Sequence, residues 1–108
     1  ALRRALFLQP DDIEGLRSLG WLLHLQGRSE EAIVWIGRAH RLNPMHAETA
    51  ERYGDVIAVL GNRAQAVKAY AQADAALRTE PFLDPSIRQV ARTRIEAKRA
   101  GLMNGGSP

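Results

Sequence analysis

The sequence predicts an all-α solenoid in which antiparallel helix pairs stack side by side. Three observations carry that expectation. Residues recur 34 positions apart: Gly20 is answered by Gly54, Gly27 by Gly61, Ala32 by Ala66, Ile36 by Tyr70 and Ala39 by Ala73. Within each unit the apolar residues fall at helical spacing, as in Leu16, Leu19 and Leu23. Gly27, Pro44 and Gly61 then punctuate the chain where helices would end.

Ala1 to Gln9 reads as the back half of a helix, since Ala5, Leu8 and Pro10 stand one period before Ala39, Leu42 and Pro44. The chain thus opens inside the second helix of an earlier repeat, with Leu2 and Leu6 forming an apolar flank that a preceding unit would cover. Asp11 and Asp12 can cap the next helix, about 12–26, and Glu14 suits its positive end. Gly27 ends that helix. Ser29 caps a second one to Leu42, with Glu30 and Glu31 at its start and Arg38 and Arg41 near its finish.

The second full repeat runs from about His46 to Leu60, turns at Gly61-Asn62, and continues from Arg63 to Thr79. Its closing proline is late: Ile36 to Pro44 spans eight residues, Tyr70 to Pro81 eleven, so three have been inserted. Asp84-Pro85 is a strong helix start. Ile87, Val90, Ala91 and Ile95 fit the inner face of a last helix over 84–100, stopped by Gly101 and read as a cap. The expected organisation is therefore one helical domain over 1–101, with a half-repeat (1–9), full repeats over 12–42 and 46–79, the cap, and a flexible tail from 102 to 108.

Composition narrows the function. The 108 residues suit one domain with a modest core, and the hydrophobic (45%) and charged (25%) shares are ordinary. No apolar run approaches the roughly 20 residues of a membrane span. No secretory-type N-terminus is present. Without cysteine there is no disulfide and no thiolate chemistry. These features leave the compartment open between cytoplasm, slightly favoured, and periplasm or envelope. A net charge of +3 is mildly basic. The basic residues alternate with acids until about Ser86, unlike the single basic stripe of a nucleic-acid binder.

The skeleton Leu16-x2-Leu19-Gly20-x2-Leu23, then Ala32-x3-Ile36-x2-Ala39 and Pro44, resembles the tetratricopeptide repeat, with signature W-x2-L-G-x2-Y…A-x3-F…P. The resemblance implies a right-handed superhelix without cofactor or catalysis, acting as a scaffold for a protein or peptide held in its concave groove. The strings Leu19-Gly20-Trp21 and Tyr53-Gly54-Asp55-Val56 look like those of bacterial multi-repeat proteins. Some family members clamp the terminal carboxylate of chaperones with a lysine and asparagines. Here Trp21 and Arg17 replace the expected asparagine and lysine, which disfavours such a clamp.

No catalytic set emerges from the residues. His24, His40 and His46 fall on three different elements, without a nucleophile or metal-ligand spacing. At about 100° per residue, Glu14, Arg17, Trp21 and His24 share a face of the first helix, away from Leu16 and Leu19. The repeat register places Glu48, Glu51 and Asp55 on the matching face of the next first helix, and the three-residue offset adds Arg88 and Arg92 from the cap. These nine residues form the expected partner-binding groove, with Trp21 as anchor. The simpler account of the charges is mutual neutralisation, Arg17 with Glu51 and Glu51 or Asp55 with Arg88 or Arg92. Trp35 is expected to pack. Two other functions remain open: self-association through the uncovered half-repeat, giving a homo-oligomer, and nucleic-acid binding through Arg88, Arg92, Arg94, Lys98 and Arg99.

Overall fold

The computed structural model describes residues 12–104. The expected half-repeat, with Leu2 and Leu6, and the last four residues lie outside them. Five α-helices follow in order: α1 (Ile13–Leu25), α2 (Ser29–Leu42), α3 (Ala47–Val59), α4 (Arg63–Thr79) and α5 (Pro85–Asn104). No strand occurs among the described residues. The chain is all-α, with α1 packed on α2, α3 on α4, and α5 on α4.

Local chemistry sets the boundaries. Gly27 (φ 79°) and Gly61 (φ 91°) close α1 and α3 in the left-handed region, which side chains other than glycine rarely enter. Asn62 Oδ1 caps α4 by accepting from Gln65 N–H at 3.1 Å. Asp84 Oδ1 does the same for α5, accepting from Ser86 N–H (2.8 Å), with Pro85 as the first helical residue. Asp12 stands at the N-cap of α1 without a side-chain bond. Ser29 turns its hydroxyl to His24 instead of capping α2.

Each helix pair encloses its own core. Leu16, Leu19, Leu23, Ala32, Ile36 and Ala39 fill the first, joined by Val56 of α3; Ala50, Ile57, Ala66, Tyr70, Ala73, Leu77, Ala91 and Ile95 fill the second. Ile33 and Tyr53 pack against both. Trp35 is half-buried on the first core, a packing role as expected. The helix pairs close tightly at Gly20 and Gly54. A Cβ on Gly20 would lie 2.3 Å from Ile36 Cγ1, and one on Gly54 would lie 2.8 Å from the Tyr70 ring.

The last helix departs from the register. The inserted residues lie in α4, which has 17 residues where α2 has 14. Those three add roughly 4.5 Å of helix before the chain turns. α5 therefore starts farther out, and only Ala91 and Ile95 of its expected inner face are buried. Ile87 and Val90 are 60% and 65% exposed. Gly101 does not stop the helix, which runs on through Leu102 and Met103 to Asn104. Leu102 packs on the second core and supports that extra turn.

His40 gives the fold a pH dependence. Its ring stacks on Tyr53 at 4.7 Å, and Nε2 lies 2.9 Å from Gln72 Oε1 of α4. Nδ1 is buried without a partner. Burial holds the His40 pKa below its ordinary value, only partly offset by the Gln72 bond. The unfolded chain then binds a proton more readily than the folded one, so stability rises with pH across that window. The contribution of neutral His40 is complete above the ordinary histidine value of about 6.5 and is lost as pH falls towards the folded value. The melting temperature is expected to drop between neutral and mildly acidic pH, and His40→Phe to flatten that drop; an unchanged slope in the variant would refute the assignment.

Candidate functional site

Trp21 follows Gly20, the residue that brings α1 against α2, so its indole leaves the helix contact sideways. The ring is half-buried, with one part on the first core. Arg52 of α3 lies over it, guanidinium carbon 4.0 Å from the ring centroid, a cation–π contact. The His24 ring sits 5.0 Å away at a 37° tilt, fixed by its Nδ1 at 2.8 Å from Ser29 Oγ. Arg17, one turn earlier, reaches across to Glu48 of α3 at 2.6 Å. Glu14 is exposed at the start of α1.

The acids of α3 are already engaged. Glu51 is only 4% exposed. It accepts from Arg94 Nε and Nη2, each at 2.7 Å, and from Lys98 Nζ at 2.7 Å. Lys98 also donates to Asp55 at 3.2 Å, and the Tyr70 hydroxyl donates to Asp55 at 2.6 Å. Burial would raise the Glu51 pKa, but the Arg94 and Lys98 bonds more than offset it and hold the carboxyl below its ordinary range. Burial, and then the bond to Asp55, push the Tyr70 phenol well above its ordinary value. Neutralisation between neighbouring helices is thus real, with other partners than the register suggests.

Arg88 and Arg92 do not join the groove charges. Arg92 Nε pairs with Asp74 of α4 at 2.8 Å, and Arg88 donates to the backbone carbonyls of Glu80 and Leu83. The places opposite Glu51 and Asp55 go to Arg94 and Lys98, six residues further along in each case. A shift of six residues is roughly 9 Å along a helix axis, about twice what the three residues added to α4 supply. With Arg99 paired to Glu96 at 2.8 Å, most of the basic residues of α5 already face carboxylates of the same chain. That arrangement weakens the nucleic-acid reading, because phosphate binding needs unspent cations.

The slip of α5 also opens a cleft of about 370 Å³ between the start of α3, the end of α4 and α5. Leu77, Leu83 and Ile95 supply apolar walls, and Arg52 and Arg94 stand in its lining. Phe82 projects at its edge, 94% exposed. Arg52 touches both the cleft and Trp21, so the two are one continuous surface. Sequence reasoning named Arg94 and Lys98 only as candidates for nucleic acid, and it missed Arg52 and Phe82. Only Phe82 carried a signal, as a large aromatic in the turn after Pro81. Arg52 reaches Trp21 by side-chain length, which helical angle does not encode.

No protein-family model matches the sequence, and no curated protein matches it significantly. Solved structures do match. The chain superposes on PcrH, determined in complex with the chaperone binding region of PopD, with a TM-score of 0.83 at 14% identity, covering 98% of this chain and 76% of that one. It superposes equally well on SycD, the type III secretion translocator chaperone of Yersinia enterocolitica: TM-score 0.84, 13% identity, 99% of this chain and 70% of that one. At such identity the likeness establishes a shared all-helical fold, that of PcrH and SycD.

Proposed function

We propose that this chain is a non-catalytic interaction module of the tetratricopeptide type that holds a peptide or partner helix along the faces of α1 and α3. The observation that carries this reading is Trp21, partly exposed between Arg52 and His24 and continuous with the adjoining cleft. A large amphipathic ring held in place by its neighbours loses little freedom on binding, and Trp and Arg are the usual energetic anchors of interfaces. The walls of the cleft suit an apolar side chain, and Glu14 and the Arg17–Glu48 pair form a polar rim worth about 0–1 kcal/mol. PcrH, which shares the fold, is a precedent for a segment of a partner protein bound to such a scaffold.

Affinity capture with the full-length protein tests the proposal. Trp21→Ala is expected to weaken retention of the partner by about thirtyfold, while far-UV circular dichroism stays unchanged. Undiminished binding by that variant would remove the groove assignment.

A further inference from the structure

Around Trp21 and the cleft, Arg52 is the cation that the chain's own carboxylates leave uncommitted. Arg17 is paired with Glu48, and Arg94 and Lys98 are paired with Glu51. Arg52 donates no hydrogen bond among the described residues. Its nearest carboxylate, Asp55, stands 3.8 Å away, beyond hydrogen-bond reach. Both Asp55 oxygens are engaged elsewhere, Oδ1 by the Tyr70 hydroxyl at 2.6 Å and Oδ2 by Lys98 at 3.2 Å. Arg88 and Arg99 each bury an Nε without a partner; no guanidinium nitrogen of Arg52 is sealed from solvent in that way.

Geometry decides what such a group can take. The guanidinium carbon lies 4.0 Å from the Trp21 ring centroid, a separation at which the flat cation stacks on the indole. Its N–H donors point outward in the plane of the group, so stacking leaves them available. A carboxylate matches that edge with two parallel hydrogen bonds. Held against the ring, the guanidinium loses little freedom when it binds. Arg52 also lines the cleft walled by Leu77, Leu83 and Ile95, which brings an apolar site beside the cation. Glu80, the exposed acid of that lining without an ion pair, repels a carboxylate placed at its own end. Building on the groove reading above, we infer that the partner segment sets an aspartate or glutamate side chain on Arg52, beside an apolar residue that enters the cleft. Arg52 is thus the residue that selects the partner's sequence, and Trp21 is its platform.

The test pans a displayed library of random dodecapeptides on the full-length protein. Recovered peptides, synthesised as C-terminal amides so that only side chains supply carboxylates, are measured by fluorescence anisotropy. They are expected to carry an acid next to an apolar residue. Replacing that acid by its amide is expected to weaken binding by about tenfold, and Arg52→Gln in the protein by about as much. Made together, the two changes are expected to cost no more than either alone, because they remove one contact. Arg52→Lys is expected to keep part of the preference, and Trp21→Ala to weaken the acidic peptide and its amide twin alike. Peptides that need Trp21 but not the acid, or whose acid still counts against Arg52→Gln, overturn this inference and leave the groove reading standing. Peptides indifferent to Trp21→Ala, or no recovery at all, overturn both.

Discussion

Ile36→Ala is expected to lower the unfolding free energy by about 2–5 kcal/mol, and Gly20→Ala by about 1–3 kcal/mol, with the double variant less destabilised than their sum. Ile36 is fully buried at the centre of the first core, so truncating it removes apolar burial and leaves a cavity. Gly20→Ala acts in the opposite sense, by overfilling. The new Cβ would stand 2.3 Å from Ile36 Cγ1 and 3.0 Å from the Ala32 carbonyl oxygen, neither of them the free end of a flexible side chain. Better helix propensity returns only about 1 kcal/mol. Once Ile36 is alanine the worst of that clash is gone, though the Ala32 carbonyl still crowds the methyl. A double-mutant cycle by urea denaturation is expected to give a coupling of about 1–2 kcal/mol. Additivity within about 0.5 kcal/mol would show that the two residues do not press on each other.

The second large effect is expected at Glu51, where one buried carboxylate receives both Arg94 and Lys98. Glu51→Ala leaves the two cations free to rehydrate, because their side chains are 49% and 31% exposed. The loss is therefore that of charge-assisted hydrogen bonds, about 2–3 kcal/mol, below the figure for a stranded buried ion. It falls on the contact between α3 and α5. Hydrogen exchange is expected to accelerate in α5 and to stay slow in α1 and α2; uniform acceleration would contradict a local role. Acid acts on the same carboxylate. A group held below its ordinary pKa contributes stability that is present above about pH 4.3 and is lost as pH falls through the lower folded value.

The fold was largely legible in the sequence because its determinants are local and periodic. The glycine turns, the Asp84-Pro85 start and the close contacts of Gly20 with Ile36 and Gly54 with Tyr70 each follow from residues at fixed separations. Trp21 was found the same way, as a large ring beside a contact glycine. The slide of α5 was not. Three residues inserted before Pro81 can be counted, but whether they lengthen α4 or loop out depends on packing against α5. Where α5 comes to lie turns Arg88 and Arg92 away from Glu51 and Asp55 and brings Arg94 and Lys98 to them. The cleft beside Phe82 depends on the same displacement.

The partition of the interior into two cores has an optical consequence. Trp21 and Trp35, the only tryptophans, both lie against the first core. The second holds Tyr70 as its buried aromatic ring, with Tyr53 at the boundary. Indole emission therefore follows the melting of α1 and α2, whereas ellipticity weighs every helix. In a stacked array, where each unit is stabilised mainly by its neighbour, the two signals need not change together. The gap between them measures how strongly Ile33 and Tyr53 weld one half of the molecule to the other.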